Sequence, residues 1–306
     1  MGIIVVGAIF VDIKGFPNDI YIPTGRNAGR IEYIHGGVSR NIAENIGNIN
    51  LHPTFISIAD ERGLGDEVIR RLGDHGVDTS CIQRIQGGMG TWLAVFDNAG
   101  DLAGSISSRP DLMPILGLLE KKGDELFSQA DSVVVEVDMD KEILEKILEL
   151  SKRHHKKLYT IVSNMSIAAE RRDLLKRFDC LVCNDLEAGI FFAEDYSRKS
   201  PEELCEIISE RVISSGMNSM VVTMGAKGAV YADRTGDRGL YAARHVQVRD
   251  TTGAGDAFAS GLAIGLTYGK SLREAVAIGT RLAASVITSS ENVCPRFLPG
   301  ELGIEI

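Results

Sequence analysis

Short runs of β-branched and aliphatic residues recur along the chain at Ile3 to Val6, Ser132 to Val137, Leu158 to Val162, Cys180 to Cys183 and Met220 to Thr223. Continuous apolar runs of this length suit strands buried on both faces of a parallel sheet. Helical patterns with clear start signals lie between them. Ser200-Pro201-Glu202-Glu203 sets a serine N-cap before a proline at the first helical position, and Ser271-Leu272-Arg273-Glu274 has capping-box spacing. Strands alternating with helices imply βαβ units and a mostly parallel sheet covered on both sides.

Two segments break this rhythm. Residues 14–34 and 87–108 carry no helical period, and Trp92 to Phe96, the turn Asp97-Asn98-Ala99-Gly100 and Leu102 to Ile106 read as a β-hairpin. We expect these two segments to form a small β-sheet lid over a cleft, with residues 1–13, 35–86 and 109–306 making one α/β domain. Such a lid would keep water from a reacting phosphate.

Composition narrows the partners. With 44% hydrophobic and 25% charged residues, the 306-residue chain has the balance of a folded globular protein. A formal net charge of -9 argues against nucleic acid or an anionic membrane as a nonspecific partner. The five cysteines are scattered through a long chain, which favours a reducing compartment over a disulfide framework. The apolar start Ile3 to Val6 is too short for a secretory signal and no stretch has the length of a membrane span, so a cytoplasmic setting is expected.

The chemistry concentrates at Asp250-Thr251-Thr252-Gly253-Ala254-Gly255-Asp256, which follows a polar strand-like stretch and opens a helix. Ala257, Gly261 and Gly265 recur every fourth residue, so that helix has a small face for close packing. Gly253, Ala254 and Gly255 then fall at its N-terminus, where unpaired amides and the macrodipole favour an anion such as a transferring phosphate. Asp256 falls in the first turn, a position that favours the ionised carboxylate, and could accept a proton from an attacking hydroxyl. A Thr-Gly-Ala-Gly turn that only starts a tightly packed helix is the plain alternative. Spacing excludes two other nucleotide loops. A dinucleotide G-x-G-x-x-G would need glycine at Phe258, and a Walker A loop ending at Gly269-Lys270-Ser271 would need glycine at Ile264.

With these residues the chain resembles the ribokinase-like, or phosphofructokinase B type, carbohydrate and nucleoside kinases over essentially its whole length. The resemblance implies a three-layer α/β/α fold with a mostly parallel central sheet and a small β-sheet lid. It implies an ATP- and Mg2+-dependent phosphotransferase, with Asp256 as catalytic base and Gly253, Ala254 and Gly255 as the anion hole. Gly7 to Asp12 resembles the first-strand motif, which makes Asp12 a substrate-binding residue, although the Asn usual two residues earlier is Phe10. Gly36-Gly37-Val38-Ser39-Arg40-Asn41-Ile42-Ala43 is similar to G-G-x-x-x-N-x-A, which assigns Gly36, Gly37 and Asn41 to the sugar.

Asn184 to Glu187 resembles N-x-x-E, assigned to Mg2+ and phosphate, and taken alone would be a helix start at the surface. Thr223, Gly225 and Gly228 match the T-x-G-x-x-G loop that approaches ATP, and taken alone would be a hairpin turn. Asp250 and Thr252 match positions that bind a monovalent cation in some members, so K+ is an option. The G-x-D-x-x-G motif appears as Asp60-Glu61-Arg62-Gly63-Leu64-Gly65, with Arg62 in the aspartate's place. A homodimer through the lid is implied by the resemblance alone.

Val38 stands where ribokinases and phosphosugar kinases usually carry lysine. Together with Arg30, Arg40, Asn45, the Val162-Ser163 pair and the ending Ser290 to Pro295, it is closer to pseudouridine kinases. Phosphorylation of pseudouridine to pseudouridine 5′-phosphate is therefore the first expectation. A fructokinase, ribokinase or ketodeoxygluconate kinase activity is the second, and a catalytically silent ligand sensor is the reading from another class.

Overall fold

The computed structural model describes residues 2–162 and 164–305; Ser163, half of the Val162-Ser163 pair, lies outside them. The chain begins with β1 (Ile4–Val6), β2 (Phe10–Pro17), β3 (Gly29–Gly36), α1 (Val38–Asn48), β4 (Thr54–Asp60) and α2 (Leu64–Asp74). Strands β5 (Ile82–Ile85), β6 (Gly90–Phe96) and β7 (Leu102–Ser108) follow, then α3 (Met113–Gln129), β8 (Ser132–Glu136) and α4 (Lys141–Arg153). Next come β9 (Lys157–Ile161), α5 (Met165–Glu170), α6 (Arg172–Leu175), β10 (Cys180–Asn184), α7 (Asp185–Phe192) and α8 (Pro201–Ser215). The last elements are β11 (Ser219–Thr223), β12 (Ala229–Asp233), β13 (Arg238–Tyr241), α9 (Ala254–Thr267) and α10 (Leu272–Ile287).

Nine strands form one sheet in the order β13-β12-β11-β10-β9-β8-β1-β4-β5, parallel except for the β11-β12-β13 end. The apolar runs build its centre, and because side chains alternate along a strand, each run feeds both cores. Val133 and Val135 join a cluster with α3, α4, α7 and α8, while Val134 joins the opposite cluster with α1, α2, α9 and α10. Cys183 and Cys180 divide in the same way, which places them on opposite faces as their spacing predicts. Both start signals form, Ser200 and Ser271 accepting from the amides of Glu203 and Glu274, and the Ser200 cap proves to be a capping box as well.

A separate sheet of order β3-β2-β6-β7 stands apart from the large one. The Trp92 to Ile106 hairpin lies within it, and β2 and β3 extend it beyond residues 14–34 to Phe10 and Gly36. Asp12 is therefore carried by the small sheet. The strand-like stretch before Asp250 is not a strand: residues 242–250 have no regular structure. Ala243 to Val246 and Val248 of this segment line a cavity.

The helix that begins at Ala254 packs on α10 through its small face. A Cβ on Gly261 would lie 2.7 Å from the Gly279 Cα, and one on Gly265 would lie 2.7 Å from the Ala275 Cα. No helix among the described residues is long and apolar enough to cross a membrane.

Candidate active site

Two glycines shape the floor of the site. Gly253, the N-cap of α9, holds φ at 80°, and a Cβ there would meet the Asn292 carbonyl at 2.0 Å. Gly37, the N-cap of α1, holds φ at 96°. Both demand the left-handed backbone that glycine alone adopts without strain. The α9 turn puts Asp256 beside α1, where Asn41 Nδ2 donates to Asp256 Oδ2 at 2.5 Å. Asp12 approaches from the small sheet, its carboxylate so close to Gly36 that a Cβ there would lie 2.5 Å from Oδ1. Asp12, Gly36, Gly37, Asn41 and Asp256 therefore meet at one place, although they come from β2, β3, α1 and α9.

The electrostatics correct one expectation. A first-turn aspartate should be readily ionised, yet burial pushes Asp256 up to about 7, with Asp12 and Glu187 adding repulsion against the pull of Asn41 and Arg40. Desolvation outweighs the helix dipole at this position. Arg40 is itself fully buried, bonds Glu44 at 2.6 Å, and donates to the His35 and Gly36 carbonyls. Glu44 in turn accepts from Arg71 at 2.8 Å. Burial raises Glu44, but Arg40, Arg71 and His75 overcome it and hold its carboxyl below the usual range.

Glu187 and Asn184 form a reciprocal cap on α7, with Glu187 Oε2 accepting from the Asn184 amide and Asn184 Oδ1 from the Glu187 amide, both at 2.8 Å. Burial raises the Glu187 carboxyl, with Asp138 and Asp185 adding to it. These oxygens could hold Mg2+, a hard cation commonly bound by one or two carboxylates together with phosphate and water. Among the described residues no group of three or more His, Cys, Asp or Glu is placed to hold a metal.

Beside the floor opens a cavity of about 440 Å3 lined by Thr223, Gly225, Gly228, Ala254 and Gly255. Its other walls, Ala243 to Val246, Val248, Thr280, Ala283, Ala284 and Ile287, were not singled out by sequence reasoning. The small side chains at Thr280, Ala283 and Ala284, on one face of α10, were the available signal. Asp250 closes the loop before α9 by accepting from the Thr252 amide at 2.8 Å. Phe10, in place of the usual Asn, packs its ring over Gly90, where a Cβ would lie 2.4 Å away. Arg62 is exposed at the turn after β4.

A mostly apolar cleft ending at helix amides, with a partly buried acid beside it, suits a nucleotide-dependent phosphotransferase. The chain belongs to the pfkB family carbohydrate kinases, whose profile matches residues 2–294. Guanosine-inosine kinase of Exiguobacterium acetylicum is 34% identical over 292 residues, covering 95% of each chain. Pseudouridine kinase of Escherichia coli K12 is 25% identical over 278 residues, 89% of this chain and 87% of its own. Among solved structures, an Arabidopsis thaliana ribokinase complexed with ribose and ATP has the same fold, with a TM-score of 0.84 at 19% identity, covering 98% of this chain and 97% of its own. The protein is thus an ATP-dependent kinase of a sugar or nucleoside.

Proposed function

We propose that the protein transfers the γ-phosphoryl group of ATP to the primary 5′ hydroxyl of a nucleoside, with Asp256 as the base. The observation that carries the base assignment is the Asp256 carboxyl, raised to about 7 and held at Oδ2 by Asn41. Among the described residues no hydrogen bond engages Oδ1, which leaves that oxygen for the acceptor hydroxyl. In this reading ATP lies in the cavity between Thr223 to Gly228 and α10, and its γ-phosphate meets the amides of Gly253 to Asp256. Asp12, Gly36, Gly37 and Asn41 orient the sugar, and the small sheet acts as a lid. Asn184 and Glu187 would hold Mg2+, which would supply charge neutralisation at the phosphates. Asp250 and Thr252 are the positions for K+, and the ATP requirement suits a cytoplasmic setting.

Val38 supports a nucleoside over a phosphosugar, because a phosphorylated acceptor would want a cation there. The 34% identity to a guanosine-inosine kinase favours a purine nucleoside. Pseudouridine remains the second reading, carried by Arg40, Asn45 and the ending Ser290 to Pro295, which wraps on α1: Cys294 N donates to Asn45 Oδ1 and Asn48 Nδ2 to Cys294 O, both at 2.7 Å. The deciding assay is ADP release with Mg2+-ATP, with and without K+, against guanosine, inosine, pseudouridine, uridine, ribose and fructose. Preference for guanosine or inosine is the expected outcome. Turnover of fructose or ribose alone would overturn the nucleoside reading.

A further inference from the structure

Lys14 follows Asp12 by two positions on β2, so both side chains leave the same face of the small sheet. Its neighbours across the strands are Glu32 on β3 and Ala94 on β6. Lys14 is 9% exposed and Ala94 fully buried, so the face is closed to water where these two stand, whereas Tyr33 and Ile106 on the other face are 62% and 70% exposed. A lysine withdrawn from water this far normally has a carboxylate partner. Glu32, directly opposite, is the obvious one, yet it is bonded to Arg30 at 2.8 Å. Lys14 makes no hydrogen bond or ion pair among the described residues.

Its charge is felt by two acids on different elements, Asp12 beside it and Asp250 at the head of the loop into α9. By geometry, Lys14 stands on the strand and face that carry Asp12, two residues along from it. Other cations nearby are committed: Arg40 to Glu44 at 2.6 Å, and Arg109 to Asp138 at 3.3 Å.

We propose that Lys14 is a phosphate-contacting residue, a cation on the lid that meets the oxygens of the transferring phosphoryl group between Asp12 and the amides of Gly253 to Gly255. The proposal rests on the kinase reading. In that reaction the bond from the γ-phosphorus to the bridging oxygen breaks and the oxygen keeps the electron pair as part of ADP, while the acceptor oxygen bonds the phosphorus and its proton passes to Asp256. Lys14 exchanges no proton; it supplies charge where the phosphoryl oxygens crowd, as a compact ammonium on a flexible stem can. Mounted on the small sheet, it reaches the phosphate only when that sheet is closed, which makes transfer depend on closure.

The test is steady-state kinetics of the full chain carrying Lys14→Met, Lys14→Arg and Lys14→Ala, with folding checked by circular dichroism. Lys14→Met is expected to lower kcat on the order of 10²-fold, with the acceptor KM within threefold of wild type. Lys14→Arg should recover part of the rate, and added ethylammonium should partly rescue Lys14→Ala, a response that a purely structural lysine would not give. A Lys14→Met enzyme with wild-type kcat, or one altered only in acceptor KM, overturns the proposal. Should Lys14→Met not fold, the Lys14→Arg kinetics and the ethylammonium response decide it. A wild-type enzyme that transfers phosphoryl to none of the acceptors would sink the kinase reading itself.

Discussion

A proton acceptor working near neutral pH needs a pKa near the working pH, and in the role proposed for Asp256 its surroundings would supply one. Burial does most of the lifting, Asp12 and Glu187 add to it, and Asn41 and Arg40 keep the value from rising further. The acid limb of kcat/KM should therefore fall with an apparent pKa near 7, and Asn41→Ala, which removes a group that lowers it, should move that limb upward. Asp256→Asn should cut kcat on the order of 10² or more while ATP binding changes little. Stability should move the opposite way. Because the folded value lies above the ordinary 3.8, this carboxyl costs nothing below about pH 4, costs progressively more as pH rises to about 7, and keeps that cost above it. Melting curves should show Asp256→Asn more stable than wild type by about 1–3 kcal/mol at pH 8, with the gain vanishing near pH 4.

Among the elements, α9 carries the proposed anion hole, and its position is set by contact of its own backbone with α10. Gly261 faces Gly279 with no room for a side chain. Gly261→Val must push the helices apart or distort them, at a cost of about 2 kcal/mol or more, and should shift the amides proposed to receive phosphate. Urea denaturation should show the lower midpoint, and kcat should fall while the overall fold is kept; an unchanged midpoint would mean that the helix pair is not so tightly set. This packing was legible from the four-residue spacing of Ala257, Gly261 and Gly265, just as the central strands were legible from unbroken apolar runs. The walls of the cleft were not. Residues 242–250 have no period, and they line the cavity with Thr280 to Ile287 only because β13 and α10 bring distant segments together. The raised carboxyl of Asp256 was hidden for the same reason, since its desolvation comes from elements remote in the chain.

At the scale of the whole molecule, the small sheet has one face toward the site and one toward solvent. On the outer face Tyr33, Ile13, Leu93 and Ile106 stand in one row across all four strands, and Tyr33, Leu93 and Ile106 are 62%, 41% and 70% exposed. Ile31, on the same face, is 64% exposed. We propose that this contiguous apolar row is the contact with a second copy of the chain, which would bring the same row to meet itself across a twofold axis. Sedimentation across a range of concentrations should show a dimer, and Ile106→Lys should weaken it at least tenfold, about 1.4 kcal/mol, by setting a charge in the buried row. Since Asp12 and Lys14 leave the other face of this same sheet, the dimer would also stiffen the surface that covers the acceptor. Ile106→Lys should then raise the acceptor KM while leaving the KM for ATP, bound on the large sheet, nearly unchanged. A wild-type chain that stays monomeric at every concentration would end this reading of the outer face, and equal changes in both KM values would separate dimerisation from closure.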